Sequence, residues 1–239
     1  MTIDDDIELT SVWSFPVRGR WSTHSADFRG NWAPQVPRNL IRMYTRPGET
    51  VLDPFLGSGT TLIEAKLLGR RGMGIDVNPA FVRLAQMRVQ QTLTNGASQD
   101  IRLGDARDLF FINDESVDIA LLHPPYWNAI VYSDLPDDIS CLATIDSFLE
   151  ELSLAVREAT RVLTTRGTLA IMMGDLRKRK RIVPLGLETL RMCLQEGLQL
   201  KEIVIKVQHN CSSTPKWDLI ARNLGFLLLM HEYIFIFDK

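Results

Sequence analysis

Apolar positions in this chain follow two patterns that alternate along its length. Short, nearly unbroken runs read as buried strands: Glu49 to Phe55, Gly72 to Asp76, Ile101 to Ala106, Val117 to Leu122 and Gly167 to Gly174. Between them the apolar residues recur at helical spacing. Pro34 to Arg46 places Leu40, Ile41 and Tyr44 on one face, and Pro47-Gly48 ends it. Leu62, Ile63, Ala65, Leu67 and Leu68 make a second helix that stops at Gly69. Asn78-Pro79 opens a third, running to about Gln91. Residues 145–163 predict a long amphipathic helix. Ser147 and Glu150 suit a capping box, which would move its start a residue or two later. Residues 184–196 predict another helix. Lys201 to Gln208 and Phe226 to Phe237 read as an antiparallel pair at the sheet's edge. Strands alternating with helices predict an α/β chain with a doubly wound sheet.

The stretch His123-Pro124-Pro125-Tyr126-Trp127 stands out against this background. Two prolines cannot donate to a ladder, so the strand before them stops at Leu122 or His123. The result is a stiff bend holding a carbonyl, an imidazole and an aromatic face at a strand's carboxyl end, where open α/β sheets bind ligands. A planar NH2 group can donate to a proline C=O and to an unprotonated nitrogen of His123, while Tyr126 stacks on the attached ring. That arrangement holds an exocyclic amine for attack on an electrophile.

The other candidate chemistry lies at earlier strand ends. Asp53-Pro54-Phe55-Leu56-Gly57-Ser58-Gly59-Thr60-Thr61 is a strand, a glycine turn and a helix start, the opening of a nucleoside-binding fold. Gly57 and Gly59 let the backbone approach a ligand at a helix N-terminus. Asp76, 19 residues after Gly57, is placed to accept from ribose hydroxyls. Asp105, closing the third run, is placed to accept from an adenine amino group.

Composition narrows the class without choosing within it. The chain has 239 residues, 45% hydrophobic and 23% charged, with a net charge of −2, as ordinary globular proteins do. The charge is uneven: Arg177-Lys178-Arg179-Lys180-Arg181 lies at the fifth strand's carboxyl end, read as a solvated loop in reach of phosphates. Residues 1–32 hold Trp13, Trp21 and Trp32 among arginines and predict no regular element. They read as an aromatic lid on the sheet's rim, or as a surface that stacks bases. Residues 128–140 read as a mobile loop over the site, and 210–225 as a loop carrying Trp217. Cys141, Cys193 and Cys211 are odd in number and widely spaced, giving no disulfide framework or zinc site and a cytoplasmic expectation. The acidic start, Met1 to Asp6, is not a signal peptide, and no apolar run is long enough to span a membrane.

On these motifs the chain resembles the DNA amino-methyltransferases, which use S-adenosylmethionine to methylate adenine N6 or cytosine N4. The resemblance runs from about residue 28 onward and is specific at three motifs. Two departures from the pattern stand out. His123 replaces the usual acid, amide or hydroxyl before Pro-Pro-Tyr, which leaves the target base open. No long insertion serves as a target-recognition domain.

The resemblance implies a Rossmann-like methyltransferase sheet of seven strands with a C-terminal antiparallel hairpin, in a domain spanning 33–239 behind the 1–32 segment. It implies catalytic roles for His123, Pro124, Pro125 and Tyr126. Cofactor contacts would come from Pro37, Asp53, Phe55, Gly57, Gly59, Thr60, Thr61, Asp76, Asn78, Asp105, Ala106 and His123. Trp127, Trp217 and the five basic residues 177–181 would contact nucleic acid, with the target base extruded into the pocket. His123, with an ordinary pKa of about 6.5, would also take the amine's proton. The chain is expected to act as a monomer or homodimer, and a restriction partner is left open. Structured RNA, a protein glutamine amide, or an inactive cofactor-binding subunit are the alternatives. A nicotinamide dehydrogenase is disfavoured, because the loop lacks the third glycine of the dinucleotide fingerprint.

Overall fold

The computed structural model describes residues 7–93, 97–210 and 214–239. Met1 to Asp6 and Cys211 lie outside the described residues. In chain order the strands are β1 (Val12–Ser14), β2 (Thr50–Asp53), β3 (Arg71–Asp76), β4 (Gln99–Leu103), β5 (Val117–Leu122), β6 (Leu163–Met173), β7 (Leu176–Lys178), β8 (Arg181–Val183), β9 (Gln199–Val207) and β10 (His231–Asp238). The helices are α1 (Gln35–Tyr44), α2 (Thr60–Leu67), α3 (Pro79–Gln91), α4 (Ile145–Val162), α5 (Leu185–Gln195) and α6 (Thr214–Leu224). Among the described residues eight strands form one sheet in the order β1-β9-β10-β6-β5-β2-β3-β4, and β7 and β8 pair as a separate hairpin. Among the described residues no helix is long and apolar enough to cross a membrane.

Alternation along the central strands explains the two helical layers. Ala120 and Leu122 of β5, Leu169, Ile171 and Met173 of β6, and Phe235 and Phe237 of β10 share a core with Phe148, Leu152 and Val156 of α4 and Leu185 and Met192 of α5. Their neighbours Ile119, Leu121, Ala170, Met172, Ile234 and Ile236 pack on the other face with Val36, Leu40 and Ile41 of α1, and with Trp13 and Trp32. Both faces are covered, so these strands read as continuous apolar runs.

The sheet has eight strands where the resemblance implied seven. The eighth is β1, from the segment that predicted no regular element. It pairs in parallel with β9, with Val12 opposite Ile205. Its side chains alternate exposed, buried, exposed, and Trp13 is the buried one. Three residues are too few to register as a period-2 pattern. β10 also lies inside the sheet, antiparallel to both β6 and β9, so the expected edge pair is capped by β1.

Four further expectations are corrected. The capping box does not delay α4: the Thr144 hydroxyl accepts from the Ser147 amide at 3.1 Å, one turn earlier. β4 ends at Leu103, so Asp105 lies in the turn beyond it. Most of the 210–225 loop is helix α6. The basic run is the hairpin β7–β8, with a two-residue turn whose Arg179 and Lys180 both take positive φ (48° and 68°).

Trp13 is 1% exposed and belongs to the same buried cluster as Trp32, Leu40 of α1 and Val204 of β9. Trp13→Ala is expected to cost about 3–5 kcal/mol in urea unfolding. A loss below about 1 kcal/mol would show that β1 is not part of the cooperative core.

Candidate functional site

The carboxyl ends of β2, β3 and β5 and the turn after β4 meet at one open cavity, with about 870 Å³ of empty space when the open solvent at its mouth is included. Its lining includes Asp53, Phe55, Gly57, Thr60, Asp76, Asn78, Asp105, Ala106, His123 and Pro125. Pro37, Gly59, Thr61, Pro124 and Tyr126 were expected there and do not line it. Pro37 is buried within α1. Gly59 serves helix packing: it takes φ +84°, and a Cβ on it would stand 3.0 Å from the Ala85 Cβ of α3. Thr61 is fully buried in the first turn of α2.

Asp76 organises the loop after β2. One carboxylate oxygen accepts from the Gly57 amide at 2.8 Å and the other from the Asn78 amide at 2.9 Å. The turn after β2 is thereby tied to the start of α3, whose N-cap is Asn78. Gly57 needs its glycine, with φ +51° and the Phe28 ring 3.2 Å from where a Cβ would sit. Burial raises the Asp76 pKa and the two amides oppose the rise.

Asp105 is not the free acceptor the sequence suggested. The Arg107 guanidinium takes it from Nε, at 2.9 and 3.0 Å, and from Nη2. The same guanidinium also reaches Asp137 at 3.2 Å and Glu151. The Arg107 amide also donates to Oδ1 at 2.9 Å, so each Asp105 oxygen already accepts twice.

The segment before α1 contributes more to the cavity than its irregular sequence indicated. Phe28, Gly30, Asn31 and Trp32 all line it. Asn31 donates to the Ser58 hydroxyl at 3.1 Å, and Arg18 in turn donates to Asn31. Phe28 packs edge-on against Phe81 at 4.8 Å and parallel to Tyr132 at 6.4 Å, forming an aromatic wall. Tyr132 belongs to the stretch expected to be a mobile loop. Two short 3-10 turns, Trp127–Ala129 and Ile139–Cys141, bracket it there.

His123 lies between two aromatic rings. Trp32 stacks on it at 5.0 Å with 14° between planes, and Tyr126 meets it edge-on. Its Nε2 is 3.1 Å from the Tyr126 hydroxyl, which donates to Glu232 at 2.8 Å. Burial lowers the His123 pKa from 6.5 to about 4, against the Glu232 charge, which raises it. The ring is therefore neutral at pH 7, as expected, but too weak a base to hold the amine's proton there. Glu232 and its partner Lys206 were not found by sequence reasoning, since each looks like an ordinary strand polar residue. Their only signal was the pairing of the last two strands.

The expected nucleic-acid residues divide. Trp127 is 7% exposed, its indole N–H donates to the Leu142 carbonyl, and the Lys178 ammonium lies 3.4 Å from its ring centroid. Trp127 is therefore not available for base stacking. Arg177 is also engaged, against the Phe226 ring and the Lys180 and Leu227 carbonyls. Arg179, Lys180 and Arg181 are exposed at the hairpin tip, and Trp217 is 47% exposed on α6.

Residues 2–87 match a family model described as DNA methylase. This segment is similar to that family. The match covers the glycine turn and Asp76 and ends before His123. Type II methyltransferase M2.DpnII of Streptococcus pneumoniae is 33% identical over 92 residues, which are 37% of this chain and 33% of that protein. Type II methyltransferase M.MthZI of Methanothermobacter thermautotrophicus is 46% identical over 59 residues, 25% of this chain and 17% of that protein. The matched stretches span a third or less of these relatives' own length. Among solved structures, TrmN from Thermus thermophilus superposes with a TM-score of 0.58 at 20% identity, covering 88% of this chain and 50% of that one. A SAM-dependent methyltransferase from Methanosarcina mazei gives 0.58 at 16% identity, covering 84% and 96%. The matched segment thus sits in a Rossmann-like methyltransferase fold.

Asp53 gives this site a pH signature. Burial raises its pKa from 3.8 to about 7, with the Thr61 side chain and the Phe55 amide opposing the rise. Between about pH 4 and pH 7 the folded chain holds a proton that the unfolded chain has lost, so this group's contribution to stability falls as pH rises through that window. The melting temperature of Asp53→Asn, relative to the parent, is expected to climb from pH 5 to pH 8. A constant difference across that range would contradict the burial effect.

Proposed function

We propose that this chain transfers a methyl group from S-adenosylmethionine to an exocyclic amino group of DNA, at adenine N6 or cytosine N4. The observation that carries this reading is a neutral imidazole next to Pro125, in the same cavity as the acids of a nucleoside-binding sheet edge. The DNA methylase match over 2–87 supports the cofactor side, and the Type II methyltransferase relatives support DNA as the substrate.

The residues present fit the cofactor. The fit lies in the chemistry of the lining, which brings acids, hydroxyls and aromatic rings to one cavity. Asp76 has lone pairs left for ribose hydroxyls. Phe28, Phe81 and Tyr132 offer an aromatic wall for a base, with the Arg107–Asp105 pair in the same lining. Ser58 and Thr60 stand at the N-terminus of α2, where a carboxylate is favoured. When bound, S-adenosylmethionine supplies an electrophilic methyl group on a sulfonium.

The chain's own contribution is position. The target amine donates one hydrogen to the unprotonated nitrogen of His123 and another to a proline carbonyl of the bend. Both bonds localise the nitrogen's lone pair and stabilise the positive charge that grows there. His123 accepts a hydrogen bond throughout, and the proton leaves to solvent. The exposed Arg179, Lys180 and Arg181 contact backbone phosphates and set register without reading sequence.

Tritiated S-adenosylmethionine is expected to label duplex DNA and not total RNA. His123→Ala is expected to retain cofactor affinity by calorimetry and lose turnover about 100-fold or more. Asp76→Ala is expected to weaken cofactor binding. Labelling of RNA alone, or full turnover in His123→Ala, would overturn the reading.

A further inference from the structure

The cross-strand register beside the cavity sets up a chain of four side chains. Glu232 of β10 pairs directly opposite Lys206 of β9, and the ammonium holds Oε2 at 2.8 Å. Burial alone would raise the Glu232 pKa, but the Lys206 charge overcomes that and lowers it. The carboxylate is therefore ionised and can only accept. The Tyr126 hydroxyl donates its single proton to Oε1 at 2.8 Å. Burial and the Glu232 charge hold that phenol protonated.

A hydroxyl whose proton is committed can only accept from a second partner. That partner is His123 Nε2, at 3.1 Å, so Nε2 must carry the hydrogen. In a neutral imidazole the lone pair then sits on Nδ1. Trp32, stacked 5.0 Å away, holds the ring's plane. Gly174 makes the link to Glu232 possible: a Cβ there would meet the Tyr126 ring at 2.8 Å and Glu232 Cγ at 3.4 Å.

We propose that Glu232, held by Lys206, is a positioning residue that fixes His123 as the Nε2–H tautomer through Tyr126, leaving Nδ1 as the acceptor for the substrate amine. The last part rests on the methyl-transfer reading above; the tautomer assignment does not. In this chain the tyrosine of the Pro-Pro-Tyr bend serves the imidazole through its hydroxyl. A histidine has two ring nitrogens that exchange donor and acceptor roles, so substituting it for an acid or hydroxyl demands such a device.

Two-bond 1H–15N spectra of 15N-labelled protein at pH 7.5 read the tautomer directly, with the His123 signals assigned by their loss in His123→Ala. In the parent, Nε2 is expected to be pyrrole-type and Nδ1 pyridine-type. In Glu232→Gln, Lys206 claims the amide oxygen, the amide NH2 donates to Tyr126, and the phenol proton turns to Nε2, so the two signals exchange character. The double variant K206M/E232Q frees the amide oxygen and is expected to restore the parent pattern. Turnover is expected to follow the tautomer, with kcat down about tenfold or more in Glu232→Gln, cofactor affinity and the KM for DNA unchanged, and recovery in the double variant. A parent with hydrogen on Nδ1 overturns the proposal even where a variant fails to fold. An unchanged tautomer in Glu232→Gln overturns it as well. The expected tautomer without methyl transfer to any nucleic acid would leave the relay standing and remove the function assigned to it.

Discussion

Strand β5 is buried on both faces, and two prolines stop it at the edge of the sheet. Burial on both sides fixes its register, because a one-residue slip would exchange Ala120 and Leu122 for Ile119 and Leu121 across two differently shaped cores. His123 therefore leaves the sheet at one height only. Pro124 and Pro125 then turn the backbone without asking for ladder partners. The acids at the ends of β2 and β3 reach the same height because β2 pairs in parallel with β5 on one side and with β3 on the other. A cavity built in this way holds its polar groups on rigid elements, as a reaction governed by position requires.

What the sequence revealed and what it hid divide by the range of the contact. The strand ends carrying Asp53, Asp76 and His123 were legible because apolar runs, glycines and prolines are local signals. The helical layers were legible for the same reason. β1 was not, since three residues carry no period and its partner β9 lies far along the chain. Arg107 was an unremarkable basic residue until the fold placed Asp137 and Glu151 around it. The acceptor role read for Asp105 could not include that ion pair. Trp127 followed the motif and looked like a stacking surface, but its indole found a backbone carbonyl 15 residues on. Glu232 and Lys206 became visible only through the pairing of two strands.

The electrostatics of the site point one way. Asp53 is pushed toward its neutral form by burial, and so is His123. Charge is kept instead in pairs, Lys206 with Glu232 and Arg107 with its acids. A neutral acceptor suits an amine whose lone pair must be drawn out of conjugation while a cationic methyl donor stands opposite. It does not suit attack from ring carbon, which needs a nucleophile to activate the ring, and no cysteine is among the described residues lining the cavity.

The most direct test of the account is therefore the atom that receives the methyl group. Duplex DNA labelled by the protein with tritiated S-adenosylmethionine would be digested to nucleosides and separated. The account predicts label in N6-methyladenine or N4-methylcytosine. Label in 5-methylcytosine would contradict it, because His123 and the proline bend hold an exocyclic amine and offer nothing to a ring carbon.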